Sequence, residues 1–315
     1  MRTGRASALT DTGRRRPHNE DTFVCEPPLF AVADGVGGAQ AGEIASRLAA
    51  ATLEERAAGA LGVGTLSTLI LEANNRIYTR ALDDSEAAGM GTVVTALLVD
   101  EASGTVAIGH VGDSRAYRIR DERLEQLTPD HSLVGELVRA GRLSTEEAEQ
   151  HPHRSVITRA VGTEPAVDVH TETLPTIPGD LYLICSDGLT DLVRDDQILE
   201  LIAAAEDDPE TAVQSLVDAA NSAGGIDNIT VVLFEIIDGD PLPPDPEPPA
   251  GEPDADTAEH AIEVEVDDAG SVPLADPAVP VHRHGAGAGG RWLALFAILL
   301  TIAIAALVIW WSLKR

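Results

Sequence analysis

Apolar side chains recur along the first 237 residues in two distinct rhythms. Short β-branched runs predict strands over Thr22–Cys25, Leu29–Ala33, Thr92–Asp100, Thr105–Val111, Ala116–Arg120, Asp180–Cys185 and Asn228–Ile236. Two longer segments, Ala41–Ala58 and Leu66–Leu82, place Ile44, Leu48 and Ala51, then Leu66, Leu69, Ile70, Ala73 and Ile77, at helical spacing. Gln197–Ala204 and Pro209–Ala220 follow the same helical rule. Strands cluster with strands and helices with helices. That grouping predicts an α+β layered fold with antiparallel sheets rather than a βαβ alternation.

The rhythm stops at Asp238. Residues 238–290 hold ten of the chain's nineteen prolines, thirteen acidic residues and one Arg, a composition that cannot form a packed core. We read a disordered acidic Pro-rich linker ending in the flexible GAGAGG of Gly285–Gly290, with an r.m.s. reach of about 40 Å. From Trp292 to Trp311 the chain then runs twenty residues without a charge. At about 1.5 Å per residue that stretch spans a hydrocarbon core of about 30 Å. Trp292 at one end and Trp310 with Trp311 at the other suit the two interfaces, so residues 291–315 read as a single transmembrane anchor. Arg283 and Arg291 against Lys314 and Arg315 leave orientation undecided by charge. The N-terminus has basic residues but no apolar stretch behind them, so it is not read as a secretory signal. A helix so near the C-terminus would enter the bilayer only after the preceding domain is made. The expectation is a single-pass protein of the cell membrane with residues 1–237 on the cytoplasmic side.

The full chain of 315 residues carries a formal charge of −30. Residues 1–237 alone contribute 39 acidic and 18 basic side chains, so the domain itself is acidic. Binding to nucleic acid through phosphate contacts is excluded on that balance. Cys25 and Cys185 lie inside apolar runs, at neither disulfide-framework nor zinc spacing. A buried structural role for Cys185 disfavours a cysteine nucleophile.

Five acidic positions stand at strand ends beside Gly, Asn or another carboxylate: Glu20-Asp21, Asp34-Gly35, Asp113, Asp187-Gly188 and Asp227-Asn228. A single Asp-Gly after a strand is most simply a turn. Five of them can converge on one sheet rim, where their charges would raise one another's pKa unless a cation neutralises them. All-oxygen ligands point to a hard divalent ion, Mg²⁺ or Mn²⁺.

Seven motifs in order carry a specific resemblance. They are TDTGRRRPHNEDTF from Thr10, FAVADGVGGAQAGEIAS from Phe30, GMGTVVTALLVD from Gly89, GHVGDSRAYRI from Gly109, LTPDHSLV from Leu127, LICSDGLTD from Leu183 and GGIDNITVV from Gly224. The chain resembles the PPM family, the metal-dependent type 2C protein serine/threonine phosphatases, over residues 6–236. The resemblance implies a four-layer αββα sandwich, two antiparallel β-sheets flanked by helices, with the metal site at one end. It implies that Asp34 bridges two ions, that the Gly35 carbonyl binds one, and that Asp187 and Asp227 bind the other. Glu20 and Asp21 would hold metal-bound waters, Asp113 with Asp187 would hold a third ion, and Arg16 would grip the substrate phosphate. The implied reaction is hydrolysis of phosphoserine and phosphothreonine on intracellular proteins by direct attack of a metal-bridging hydroxide, opposing serine/threonine kinases. The partners implied are phosphorylated proteins, including such kinases and their substrates.

Val36 stands where animal members of the family have a His that protonates the leaving group, and Val cannot donate a proton. His18 and His131 are candidates by position, with a structural role the simpler reading of each. Ser132–Gly162 contains two short amphipathic pieces around Gly141 and matches the family's mobile flap. His151 and His153, separated by Pro152, read as a loop and not as ligands. A catalytically dead module that recognises phosphoproteins is the competing class, disfavoured by the intact carboxylate set and decided by metal-dependent turnover. A phosphatase dedicated to one stress or sporulation regulator is a third reading; the sensory domains such proteins carry are not seen in this sequence.

Overall fold

The computed structural model describes residues 1–36, 41–57, 62–85, 87–206 and 208–239. Among the described residues ten strands form two five-stranded antiparallel sheets. One has β1 (Arg2–Asp11), β10 (Ile229–Ile237), β9 (Leu181–Cys185), β6 (Arg115–Arg120) and β7 (Arg123–Gln126) side by side in that order. The other has β2 (Thr22–Glu26), β3 (Leu29–Val36), β4 (Gly91–Asp100), β5 (Thr105–Val111) and β8 (His170–Pro175).

Alternation along the strands explains the layering, because successive side chains point to opposite faces. In β3, Phe30 and Val32 join Leu97, Val99, Val106, Ile108, Tyr182, Ile184, Val232 and Phe234 in the core between the sheets. Leu29, Ala31 and Ala33 point the other way, against α1 (Ala41–Ala57) and α2 (Val63–Asp83). In β10, Val232, Phe234 and Ile236 face the sister sheet while Ile229, Val231 and Leu233 face α7 (Pro209–Ser222), with α6 (Asp195–Ala204) alongside. Both faces of the central strands are therefore buried, and the expected helix–sheet–sheet–helix arrangement results. Phe234 stacks on Phe30 with ring centroids 3.9 Å apart and on Tyr182 at 5.2 Å, joining the sheets at the centre.

The sequence pattern found the central strands to within a residue or two. β9 and β10 begin at Leu181 and Ile229, one residue after the positions expected, and β3 extends past Ala33 through Asp34 and Gly35 to Val36. Asp34 thus lies inside a paired strand and not beyond its end. The pattern missed β1, β7 and β8, all three at sheet edges and exposed or half-buried along most of their length. β1 follows β10 in antiparallel register from Arg2 opposite Ile237 to Asp11 opposite Ile229, with an irregularity between Thr3 and Ala6. The two amphipathic pieces around Gly141 are the helices α3 (Leu133–Arg139) and α4 (Thr145–Glu149), each N-capped by a serine, and α5 (Asp187–Thr190) is a single turn. Among the described residues no helix is long and apolar enough to cross a membrane. The linker and the span expected at 292–311 lie outside the described residues.

A buried ion pair closes the end of the sandwich away from the acidic strand ends. Asp180 is fully buried and accepts from the Arg120 guanidinium, from Thr176 Oγ1 at 2.7 Å and from the Ile177 N–H at 2.9 Å. Burial alone would raise its pKa, but the Arg120, Ile177 and Thr176 donors outweigh that and hold the carboxyl below its ordinary value. Asp180→Leu should cost about 2 kcal/mol in urea denaturation at pH 7, because it leaves the buried Thr176 hydroxyl and the Ile177 N–H without their acceptor. With the folded pKa below the unfolded one, this contribution is complete above about pH 4 and is lost as the pH falls further. The gap between wild type and variant should therefore shrink in acid.

Candidate active site

The acidic residues singled out by sequence meet at one rim of the sandwich. Asp34 arrives on β3, with its main-chain oxygen fixed by Thr92 Oγ1 at 2.7 Å. Asp113 follows β5, Asp187 opens α5 directly after β9, Asp227 precedes β10, and Glu20-Asp21 precede β2. Five strands from two sheets deliver side chains that are far apart in sequence. The charges of Asp21, Asp187, Asp113 and Asp227 all bear on Asp34.

Asp21 is 8% exposed. Its Oδ2 accepts from Thr230 Oγ1 at 2.7 Å and Ser186 Oγ at 2.9 Å, while its Oδ1 is buried with no hydrogen-bond partner. Burial pushes its pKa up to about 6, against the lowering by these donors. Burial, then neighbouring carboxylates, push Asp34 and Asp187 well above the usual range. Asp113 is pushed up to about 7, by burial and then by Asp130. Glu20 is raised by burial and relieved by Arg16. Arg16 is half-exposed and donates from Nη2 to Asp227 Oδ2 at 2.7 Å, a bond that raises its pKa further. The expected phosphate grip is thus engaged with an expected ligand.

Close packing explains the glycine after Asp34. A Cβ on Gly35 would stand 2.5 Å from the Gly42 carbonyl at the start of α1, so only glycine allows β3 and α1 this close. Asn228 braces the other side. Its Oδ1 accepts from the Glu20 N–H at 2.9 Å, and its amide donates to the carbonyls of Thr12 and His18, each at 3.0 Å.

A cavity of about 350 Å³ holds Arg16, Glu20, Asp34, Gly35, Asp187 and Asp227 together. Val36, Ile157 and Ile226 form its apolar wall, and Arg154 and Ser155 bring the 132–162 segment to its edge. A larger hollow of about 760 Å³ adjoins it through Asp187 and reaches Asp113 and Arg115. Asp191 lines both hollows, and sequence reading passed over it. Its spacing of four from Asp187, which puts both on one helical face, was the available signal. Its carboxyl is raised by burial and lowered in part by Arg154, whose Nη2 lies 3.7 Å away.

His18 is exposed, and His131 is 3% exposed with Nδ1 accepting from the Gly112 N–H. His151 and His153 form a local turn, with the His153 N–H bonded to His151 Nδ1. Cys185 is fully buried in β9, and burial pushes its thiol up to about 12, far from a reactive thiolate.

The donor chemistry fits divalent cations. The buried oxygen of Asp21 lacks a partner, and burial and neighbouring carboxylates raise Asp34 and Asp187 well above the usual range, a cost that a positive neighbour would offset. Among the described residues no three His, Cys, Asp or Glu side chains are placed so that they could hold a metal ion as they stand.

Comparison with known proteins agrees with this chemistry. Residues 18–219 match the family model of protein phosphatase 2C. The serine/threonine phosphatase Stp of Listeria innocua is 39% identical over 242 residues, which cover 73% of this chain and 95% of Stp. The serine/threonine protein phosphatase PstP of Mycobacterium tuberculosis is 39% identical over 75% of this chain and 46% of its own. The crystal structure of PstP superposes with a TM-score of 0.70 at 37% identity, covering 74% of this chain and 99% of that one. A structure of a PstP catalytic domain in complex with two manganese ions gives 0.69 at 35% identity, covering 76% and 100%. With the motifs, the two-sheet fold and these likenesses in agreement, the chain belongs to the PPM, or protein phosphatase 2C, family and is a serine/threonine protein phosphatase.

Proposed function

We propose that this phosphatase hydrolyses phosphoserine and phosphothreonine in one direct step, with Mn²⁺ or Mg²⁺ held by Asp34, the Gly35 carbonyl, Asp187 and Asp227. The observation that carries this reading is the set of buried, mutually repelling carboxylates with an unpartnered Asp21 oxygen. When bound, the ions supply a water acidic enough to attack at neutral pH and offset charge on the phosphoryl oxygens. The chain's own residues do the rest. Glu20 and Asp21 orient waters at the rim. Arg16 releases Asp227 as cations neutralise that carboxylate, and its planar fork turns to two phosphate oxygens. Val36, Ile157 and Ile226 limit water on the apolar side of the cavity. Asp113 with Asp187 would hold a third ion, whose chemistry there would be to acidify water near the leaving alkoxide, since Val36 has no proton to give.

Asp34→Asn, Asp187→Asn and Asp227→Asn should each lower kcat on a phosphothreonine peptide by about 10³-fold, roughly 4 kcal/mol of transition-state stabilisation. Full activity in two of the three would overturn the assignment. Chelation should abolish turnover, and either ion should restore it. Arg16→Lys keeps the charge but loses the fork, so kcat/KM should fall by about 10- to 100-fold.

Residues 292–311 form the membrane anchor in this proposal, the acidic linker 238–290 is a tether, and the catalytic domain works at the cytoplasmic face against serine/threonine kinases. The charge-free run between tryptophans supports the anchor. Truncation before Trp292 should move the protein from the membrane to the soluble fraction, while kcat/KM on an aryl phosphate stays within about twofold of the full chain. Sedimentation of the truncated protein with membranes would refute the anchor.

A further inference from the structure

Asp113 hangs on an unusual peptide. Gly112, just before it, has φ of 120°, and a Cβ there would lie 2.2 Å from the Val93 side chain. In this conformation both polar groups of Gly112 are taken by one residue. Its N–H donates to His131 Nδ1 at 3.1 Å, and its carbonyl accepts from the His131 N–H at 2.7 Å.

His131 is itself held from the other side. Its carbonyl accepts from the Thr158 N–H at 2.8 Å, Leu133 N–H donates to the Val156 carbonyl at 2.8 Å, and Ser132 bridges to Ile157. His131 therefore stands where the entry and exit of the 132–162 segment are zipped together. Its ring packs on His110 with centroids 4.7 Å apart, and His110 is fixed between the Thr95 hydroxyl at 2.8 Å and the Pro129 carbonyl at 3.1 Å. Burial, then the charges of Arg159, His170 and Arg139, push His131 down to about 4. The ring is neutral at pH 7, and accepting at Nδ1 puts its proton on Nε2.

We propose that His131 is a positioning residue for Asp113, holding Gly112 by both peptide groups so that the carboxylate stays at the third-ion position and in register with the 132–162 segment. The proposal rests on the reading of Asp113 given above. His131 touches no reacting group. Its action is that of an outer-shell hydrogen bond, which orients a ligand it does not replace.

Asn and Gln separate this role from simple packing. The Asn amide oxygen can reach the place of Nδ1, whereas the Gln amide extends to the place of Nε2. Mn²⁺ binding to the full-length chain, followed by titration calorimetry, should show the weakest site lost in Asp113→Ala. His131→Gln should weaken that site about 10-fold or more, and His131→Asn should stay within about threefold of wild type. The two tighter sites should be unchanged in all three. Turnover should fall in parallel, more on a phosphothreonine peptide than on an aryl phosphate, whose leaving group needs less help from a proton. Equal weakening by Asn and Gln, or no weakening by Gln while Asp113→Ala loses the site, overturns the proposal alone. An unchanged isotherm in Asp113→Ala overturns the reading of Asp113, and the proposal with it.

Discussion

Carboxylates buried within reach of one another's charge set the terms for this molecule. Asp21, Asp34, Asp113 and Asp187 are all pushed upward by burial, and each of them further by neighbours of the same sign. Such a cluster opposes folding unless cations or protons occupy it. The sandwich must be rigid enough to hold the repelling groups together. The Phe30–Phe234–Tyr182 stack and the aliphatic layer around it provide that rigidity by fixing the sheet carrying Asp34 against the sheet carrying Asp187 and Asp227. The inter-sheet core is part of the catalytic apparatus in this mechanical sense.

Hydrogen bonding around the rim follows the same demand. Asn228 joins the loop before β10 to the loop before β2, while Ser186 and Thr230 hold one oxygen of Asp21 and leave the other open. Gly35 lets the backbone of α1 approach where a side chain would intrude. Each arrangement fixes direction and leaves one face of the oxygen donors free, as befits a site that must exchange water and substrate.

The central strands were legible in the sequence because both of their faces are buried, making near-continuous apolar runs such as Val93–Val99, broken only by Thr95. β1, β7 and β8 were not, because an edge strand buries little and its polar residues carry no period strong enough to read. The acidic sites stood out through their Gly and Asn neighbours. Asp191 did not: it has no Gly or Asn after it, and only its spacing of four from Asp187 sets it apart from an exposed helical carboxylate. The supports Ser186, Thr230 and His131 were hidden for a related reason: their roles depend on Asp21, 165 and 209 positions away, or on one peptide orientation, and no local pattern encodes either.

The pairing of β1 with β10 has a steric consequence for the assembled enzyme. Arg2 lies opposite Ile237, while Asp11 lies opposite Ile229, beside the carboxylates. Nine residues of strand separate those two levels by about 27 Å. The chain therefore enters and leaves the sandwich on neighbouring strands at the pole remote from the catalytic rim. Whatever is attached at either point, a fusion partner at Met1 or an immobilising support beyond Ile237, starts from that far pole, about 27 Å of strand from the catalytic rim.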